Sequence, residues 1–194
     1  MIYKKLGNSH EKISAIGQGI TDVGTYSKFD QNQVRERIRV LRKGIELGLS
    51  YIDTAELYGG GFSEEIVGRA IDGIRDQVFL ASKFNPRGEI KDGIRKSLDG
   101  SLKRLKTDYL DLYQIHWPNP LLPIDAIMQA VSKCVDSGKV RYIGVSNFCC
   151  EELEEAQLFL QAKTIVSDQV EYNLLDRSVE DILIPFCTKN DITF

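Results

Sequence analysis

The chain has 194 residues, a formal net charge of −3 and 42% hydrophobic residues. This is the profile of a soluble protein of one domain, long enough to bury a substantial core. The mild negative charge and the lack of a basic run argue against a nucleic-acid partner. No apolar stretch approaches the roughly 20 residues that cross a bilayer, so no membrane partner is expected. The opening MIYKKLGNSHEKIS has no long apolar core of a secretory signal, and Cys134, Cys149, Cys150 and Cys187 lack the C-x-x-C spacing of a zinc or redox site. Free thiols and a cytoplasmic location are therefore expected.

Apolar, β-branched runs recur about every thirty residues, with helical patterns between them. In chain order the predicted strands are Ala15–Ile20, Leu49–Asp53, Val78–Ser82, Tyr109–His116, Val140–Val145 and Ile165–Gln169. The first predicted helix, Val34–Leu47, carries apolar residues at Val34, Ile38, Leu41 and Ile45, spaced three or four apart. Ser63 opens SEEIVGRAI as a serine N-cap with glutamates in the first turn. Asp92–Leu105, Pro123–Val135 and Glu151–Leu160 follow the same scheme. Ser178–Cys187 is a sixth helix, which Pro185 should break or kink near its end.

Strands and helices in alternation imply βαβ units and a parallel sheet, either open and doubly wound or closed into a barrel. The best candidate for a dinucleotide fingerprint is GQGITD (17–22), where Asp22 replaces the third glycine, and no P-loop sequence is present. Meanwhile Asp53, Lys83, His116, Ser146 and Gln169 all fall at the C-terminal ends of predicted strands, where α/β barrels keep their active sites. The reading is a barrel of the (β/α)8 type.

Tyr58 follows Asp53 closely in YIDTAELYGGG (51–61). A phenol is a weak acid, with a reference pKa of about 10. A nearby ammonium strengthens such an acid, and a carboxylate can hold the ammonium in place. Asp53, Tyr58, Lys83 and His116 together would thus make a proton-donating site, with the histidine positioning a carbonyl. Each residue alone has a plainer explanation. Asp53 could be a solvated strand end, Tyr58 a packing aromatic, Lys83 a strand exit and His116 a satisfied core histidine. Gly59-Gly60-Gly61 reads as a flexible loop rather than a phosphate cradle, because no Lys-Ser pair follows. His10 reads as an exposed residue of a polar hairpin turn.

YIDTAELYG (51–59), LASKF (80–84), DYLDLYQIHWP (108–118), GKVRYIGVSNF (138–148) and DQVEYNLLDR (168–177) occur in this order. With them the chain resembles the aldo-keto reductases over nearly its whole length. The resemblance implies reduction of an aldehyde or ketone to an alcohol with NADP or NAD, NADPH favoured, and no metal. It implies a catalytic tetrad of Asp53, Tyr58, Lys83 and His116, with Tyr58 as proton donor. Ser146, Asn147 and Gln169 would hold the nicotinamide carboxamide, and Trp117 would line the substrate pocket. Thr21 is a further cofactor candidate, although Ile20 stands where many relatives have the contacting threonine. The N-terminal segment resembles the hairpin that plugs the bottom of these barrels.

A barrel of this type needs about 250 residues, so the expectation is a single domain over residues 1–194 lacking the last quarter of the barrel. Six strands would be present, with Asp191–Phe194 as the start of a seventh. In the family the remaining quarter supplies the aromatic that stacks on the nicotinamide and the grip on the adenosine phosphate. The expectation is thus a fragment of a longer chain, with self-association through the open barrel edges as a second partner besides a small carbonyl substrate. The alternative function is a non-catalytic binding or regulatory module, or an inactive fragment, on a reductase scaffold.

Overall fold

The computed structural model describes residues 1–21 and 30–194, so Asp22 of the GQGITD segment lies outside the described residues. An antiparallel hairpin comes first, β1 (Tyr3–Lys5) with β2 (Lys12–Ser14). Then follow β3 (Gln18–Gly19), α1 (Gln31–Glu46), β4 (Tyr51–Asp53), α2 (Phe62–Ala70), β5 (Phe79–Phe84) and α3 (Ile90–Leu105). The chain continues through β6 (Leu110–Ile115), α4 (Ile124–Asp136), β7 (Val140–Ser146), α5 (Cys150–Leu158), β8 (Ile165–Gln169) and α6 (Leu183–Lys189).

Strands β3 to β8 form one parallel sheet in strictly sequential order. A doubly wound sheet reverses its order at a switch point. Here every crossover instead steps the same way, and the sheet curls into part of a barrel. Thr193 adds a parallel bridge to Ser167, with Asp168 N–H donating to Thr193 O at 2.9 Å and Thr193 N–H to Val166 O at 2.9 Å. The strand start expected at Asp191–Phe194 therefore lies beside β8.

Alternation along the strands divides the side chains between two cores. Leu80 and Phe84 face the helices and join Ile66, Leu98, Leu102, Val131 and Leu153 in the outer core. Phe79 and Ala81 face inward and meet Leu112 and Val166, and Leu6 and Ile13 of the hairpin close this inner core from below. The N-terminal hairpin is thus the bottom plug that the sequence suggested. Asp111 locks the same end, accepting from Arg75 at 2.8 Å, from Arg141 at 2.6 Å and from Leu80 N–H at 2.9 Å. With its other nitrogen Arg141 reaches Glu11 in the hairpin loop.

Three local expectations need correction. The first strand is only Gln18–Gly19, shorter than Ala15–Ile20, because only these two residues pair with β4, and the Gln18 side chain donates to the Leu41 and Leu49 carbonyls at 3.2 and 2.9 Å. Ser63 is not a cap. Helix α2 starts at Phe62 after Gly61, and the Ser63 hydroxyl donates to Ile20 O at 2.6 Å, pinning α2 to the chain leaving β3. Pro185 does not end a helix at Cys187. It is the third residue of α6, in the first turn, where its missing N–H would have no intrahelical partner anyway.

Glu64 shows how α2 and α3 are tied to the sheet. Its carboxylate is fully buried and accepts from Ser82 Oγ at 2.5 Å and from Arg104 Nε at 2.6 Å. Removing one member of a buried pair strands the other and costs about 3–5 kcal/mol. Urea denaturation of Glu64→Ala should therefore show a loss of that order; a midpoint within experimental error of wild type would mean that the network contributes nothing to stability.

Candidate active site

The inner faces of β4, β5 and β6 end together at the C-terminal rim of the sheet. Lys83 continues the inward face of Phe79 and Ala81, and it pairs across the sheet with Gln114. Its side chain is 1% exposed. An ammonium has three donors and no acceptor, and three acceptors surround this one. They are Asp53 Oδ2 at 2.5 Å, Thr54 O at 3.2 Å and the Tyr58 hydroxyl oxygen at 3.4 Å.

Tyr58 is brought over the rim by the turn that follows it. Gly59, Gly60 and Gly61 have φ of 60°, 65° and 94°, a left-handed run that side-chain-bearing residues rarely adopt. The glycines form a tight left-handed turn that leads into α2. The Tyr58 ring stands edge-on to the His116 ring with centroids 5.4 Å apart, and its hydroxyl lies 3.5 Å from His116 Nε2. Because Tyr58 accepts from Lys83, its own proton is directed away from the ammonium.

His116 follows directly after β6 and is 9% exposed. Burial first, and the Lys83 ammonium second, push its pKa down from 6.5 to about 4, against a smaller opposite pull from Asp53. The ring is neutral at pH 7, and its buried Nδ1 has no hydrogen-bond partner among the described residues.

The three residues expected at the nicotinamide carboxamide also meet at this rim. Ser146 Oγ donates to Gln169 O at 2.7 Å and Asn147 N–H to the same oxygen at 3.1 Å. Asn147, at φ 63°, sends its amide to His116 O at 3.0 Å and to Ser146 Oγ at 2.9 Å. Gln169 is exposed, and its amide donates to Asp53 Oδ2 at 3.2 Å. Thr21 lies two residues beyond β3, next to Ile20, whose N–H donates to Asp53 O at 3.3 Å. Thr21 is exposed, and the preceding Ile20 is buried in the outer core. Trp117 sits at the rim end of β6, 54% exposed.

Sequence reasoning missed Gln114, whose amide donates to Asp53 Oδ1 at 3.3 Å from a position 1% exposed. Alternation in LYQIHW could have placed it on the face that His116 shares. Asp168 was missed for the opposite reason. It points to the outer layer, where burial pushes its carboxyl up from 3.8 to about 7, only partly offset by the nearby Phe148 N–H, with Glu152 adding to the rise.

A groove of about 510 Å³ lies away from this cluster, between α5 and α6, lined by Leu153, Gln157, Leu158, Phe186 and Ile192 among others. Among the described residues no group of three or more His, Cys, Asp or Glu side chains could hold a metal ion. No helix among them is long and apolar enough to cross a membrane.

The family model described as "Aldo/keto reductase family" matches residues 15–194. Aldo-keto reductase YhdN of Bacillus subtilis is 38% identical over 203 residues, covering 100% of this chain and 60% of that protein. Among solved structures, a thermostable aldo-keto reductase, Tm1743, in complex with the inhibitor epalrestat superposes with a TM-score of 0.93 at 45% identity, over 100% of this chain and 71% of that one. An aldo-keto reductase from Klebsiella pneumoniae in complex with NADPH superposes with a TM-score of 0.84 at 36% identity, over 99% of this chain and 66% of that one. The chain belongs to the aldo/keto reductase family. It spans about 60% of the length of the curated relative it matches.

The two perturbed groups give opposite pH signatures. His116 is depressed from 6.5, so the unfolded chain binds its proton first and stability falls as pH drops from 6.5 toward 4. Asp168 is raised from 3.8 to about 7, so the folded chain keeps its proton longer and stability falls as pH climbs through that window. The effects cancel in part, and a site-resolved measurement is needed. NMR titration of the His116 ring should give a midpoint near 4; a midpoint at 6.5 or above would contradict the buried, ammonium-facing environment.

Proposed function

We propose that this chain carries the proton-transfer half of a carbonyl reductase site, reducing a small aldehyde or ketone to an alcohol with NADPH. The observation that carries the reading is the Tyr58 hydroxyl, 3.4 Å from the Lys83 ammonium and 3.5 Å from His116 Nε2. A carbonyl oxygen gathers negative charge as its carbon is reduced, and it needs a proton aimed at it at that moment. Tyr58 delivers the proton. Lys83 favours the phenolate left behind, Asp53 fixes Lys83, and neutral His116 orients the carbonyl oxygen. Trp117 gives the pocket mouth an aromatic wall.

The donor set at the rim suits a carboxamide, which both donates and accepts. Ser146, Asn147 and Gln169 offer a hydroxyl and two amides at adjoining strand ends, and the Ser146 hydroxyl, Asn147 Nδ2 and Gln169 Nε2 each make a hydrogen bond within the site. They would hold the nicotinamide carboxamide of NADPH, which supplies the hydride when bound. The NADPH complex of the Klebsiella relative supports this choice over NAD. Thr21, exposed just beyond β3, is a further candidate contact for the cofactor. The four free thiols suit a reducing cytoplasm.

Tyr58→Phe keeps the ring and loses the proton. In the protein that carries this chain, NADPH-dependent reduction of a small aldehyde should fall about 10²–10⁴-fold, with NADPH affinity by fluorescence titration nearly unchanged. Unchanged turnover would remove Tyr58 from this role. NADPH binding without turnover in the wild type would favour a non-catalytic module.

A further inference from the structure

Asp53 has two oxygens and three donors, and the donors differ in what else they can do. Oδ2 takes Lys83 and Gln169, while Oδ1 takes Gln114 alone. Gln169 is exposed, and the functional reading above gives its amide a second task at the cofactor. Gln114 is 1% exposed, one residue before the end of β6, and so is shielded from solvent.

The sheet is shaped to hold Gln114 in place. Its neighbour across the β6–β7 pairing is Gly144, and a Cβ there would stand 3.1 Å from Gln114 Cγ and 2.6 Å from Ser167 Oγ. The strand gives up a side chain at the position where the glutamine needs room. On its other side Gln114 pairs with Lys83, so one residue spans from the ammonium's strand to the carboxylate that holds it.

We infer that Gln114 is a positioning residue for the reaction: it fixes the Asp53 carboxylate through Oδ1 whether or not Gln169 is occupied by cofactor, and so keeps Lys83 and Tyr58 aligned. A carboxylate held at one oxygen only can rotate and take the ammonium with it. Misplacement by a fraction of an ångström is enough to slow a positioned proton transfer. The inference rests on the proposed reductase reading.

The test is a double-mutant cycle on turnover, in the protein that carries this chain, with Asp53→Asn and Gln114→Met. Methionine keeps an unbranched shape of similar length and lacks the donor. Gln114→Met should lower kcat about tenfold, with the KM for the carbonyl and the NADPH affinity within about twofold of wild type. Added to Asp53→Asn it should cost nothing more, since it acts through Asp53. A wild-type kcat in Gln114→Met, or a double variant slowed by the product of the two factors, overturns the inference. Should Gln114→Met fail to fold, NMR of the Gln114 side-chain amide serves instead. The inference expects its resonances to move between wild type and Asp53→Asn, and an unmoved amide overturns it. Unchanged turnover in Asp53→Asn overturns the functional reading and this inference with it. A slow Asp53→Asn beside an unaffected Gln114→Met overturns this inference alone.

Discussion

An ammonium buried inside a sheet is costly, since removing a charge from water carries an effective penalty of several kcal/mol even after relaxation. Lys83 meets that condition, and the architecture around it follows from satisfying it. Its three donors have three acceptors, one of them charged. The charged one, Asp53, is itself nearly out of solvent and is matched by two amide donors as well as by the lysine. A half-satisfied polar network would be worse than an apolar one. Here each charge has its complement, and Tyr58 completes the set by accepting the third donor. The acid thus sits where it does because the ammonium needs an acceptor there.

The polar rim is supported by an apolar floor. Beneath Lys83 the inward face is Ala81 and Phe79, then the hairpin's Leu6 and Ile13. Phe79 of β5 stacks on Tyr51 of the neighbouring β4 and, past β6, on Tyr142 of β7, with centroids 5.8 and 6.3 Å apart. The inward face therefore changes from apolar to polar toward the rim, and the same register that packs the floor sets the heights of Asp53, Lys83, Gln114 and His116. A one-residue slip in any of these strands would turn its polar residue into the outer core. Outer-layer ties, such as Glu64 to Ser82 and Arg104, hold the helices that fix that register.

The parts legible in the sequence were those set by local pattern. Period-two strands alternating with amphipathic helices gave the parallel sheet, and strand-end positions gave Asp53, Lys83, His116, Ser146 and Gln169. What escaped was set by partners distant in the chain. Ser63 reads as a helix cap because serine usually caps, yet the Ile20 carbonyl claims its hydroxyl. Gln114 reads as a stray polar residue in an apolar strand until Asp53, on another strand, supplies its acceptor. Gly144 shows nothing in sequence of the glutamine it accommodates.

The claim at the centre of this account is that the Lys83 charge serves the Tyr58 acid rather than the fold alone. Carbonyl reduction by Lys83→Met, measured beside the neutral pair Asp53→Asn/Lys83→Met, tests it most directly. Lys83→Met strands a buried carboxylate, whereas the double variant removes both charges and should recover most of the stability lost. The account predicts that both variants bind NADPH and that both lose nearly all turnover. A folded double variant that reduces aldehydes at the wild-type rate would contradict it.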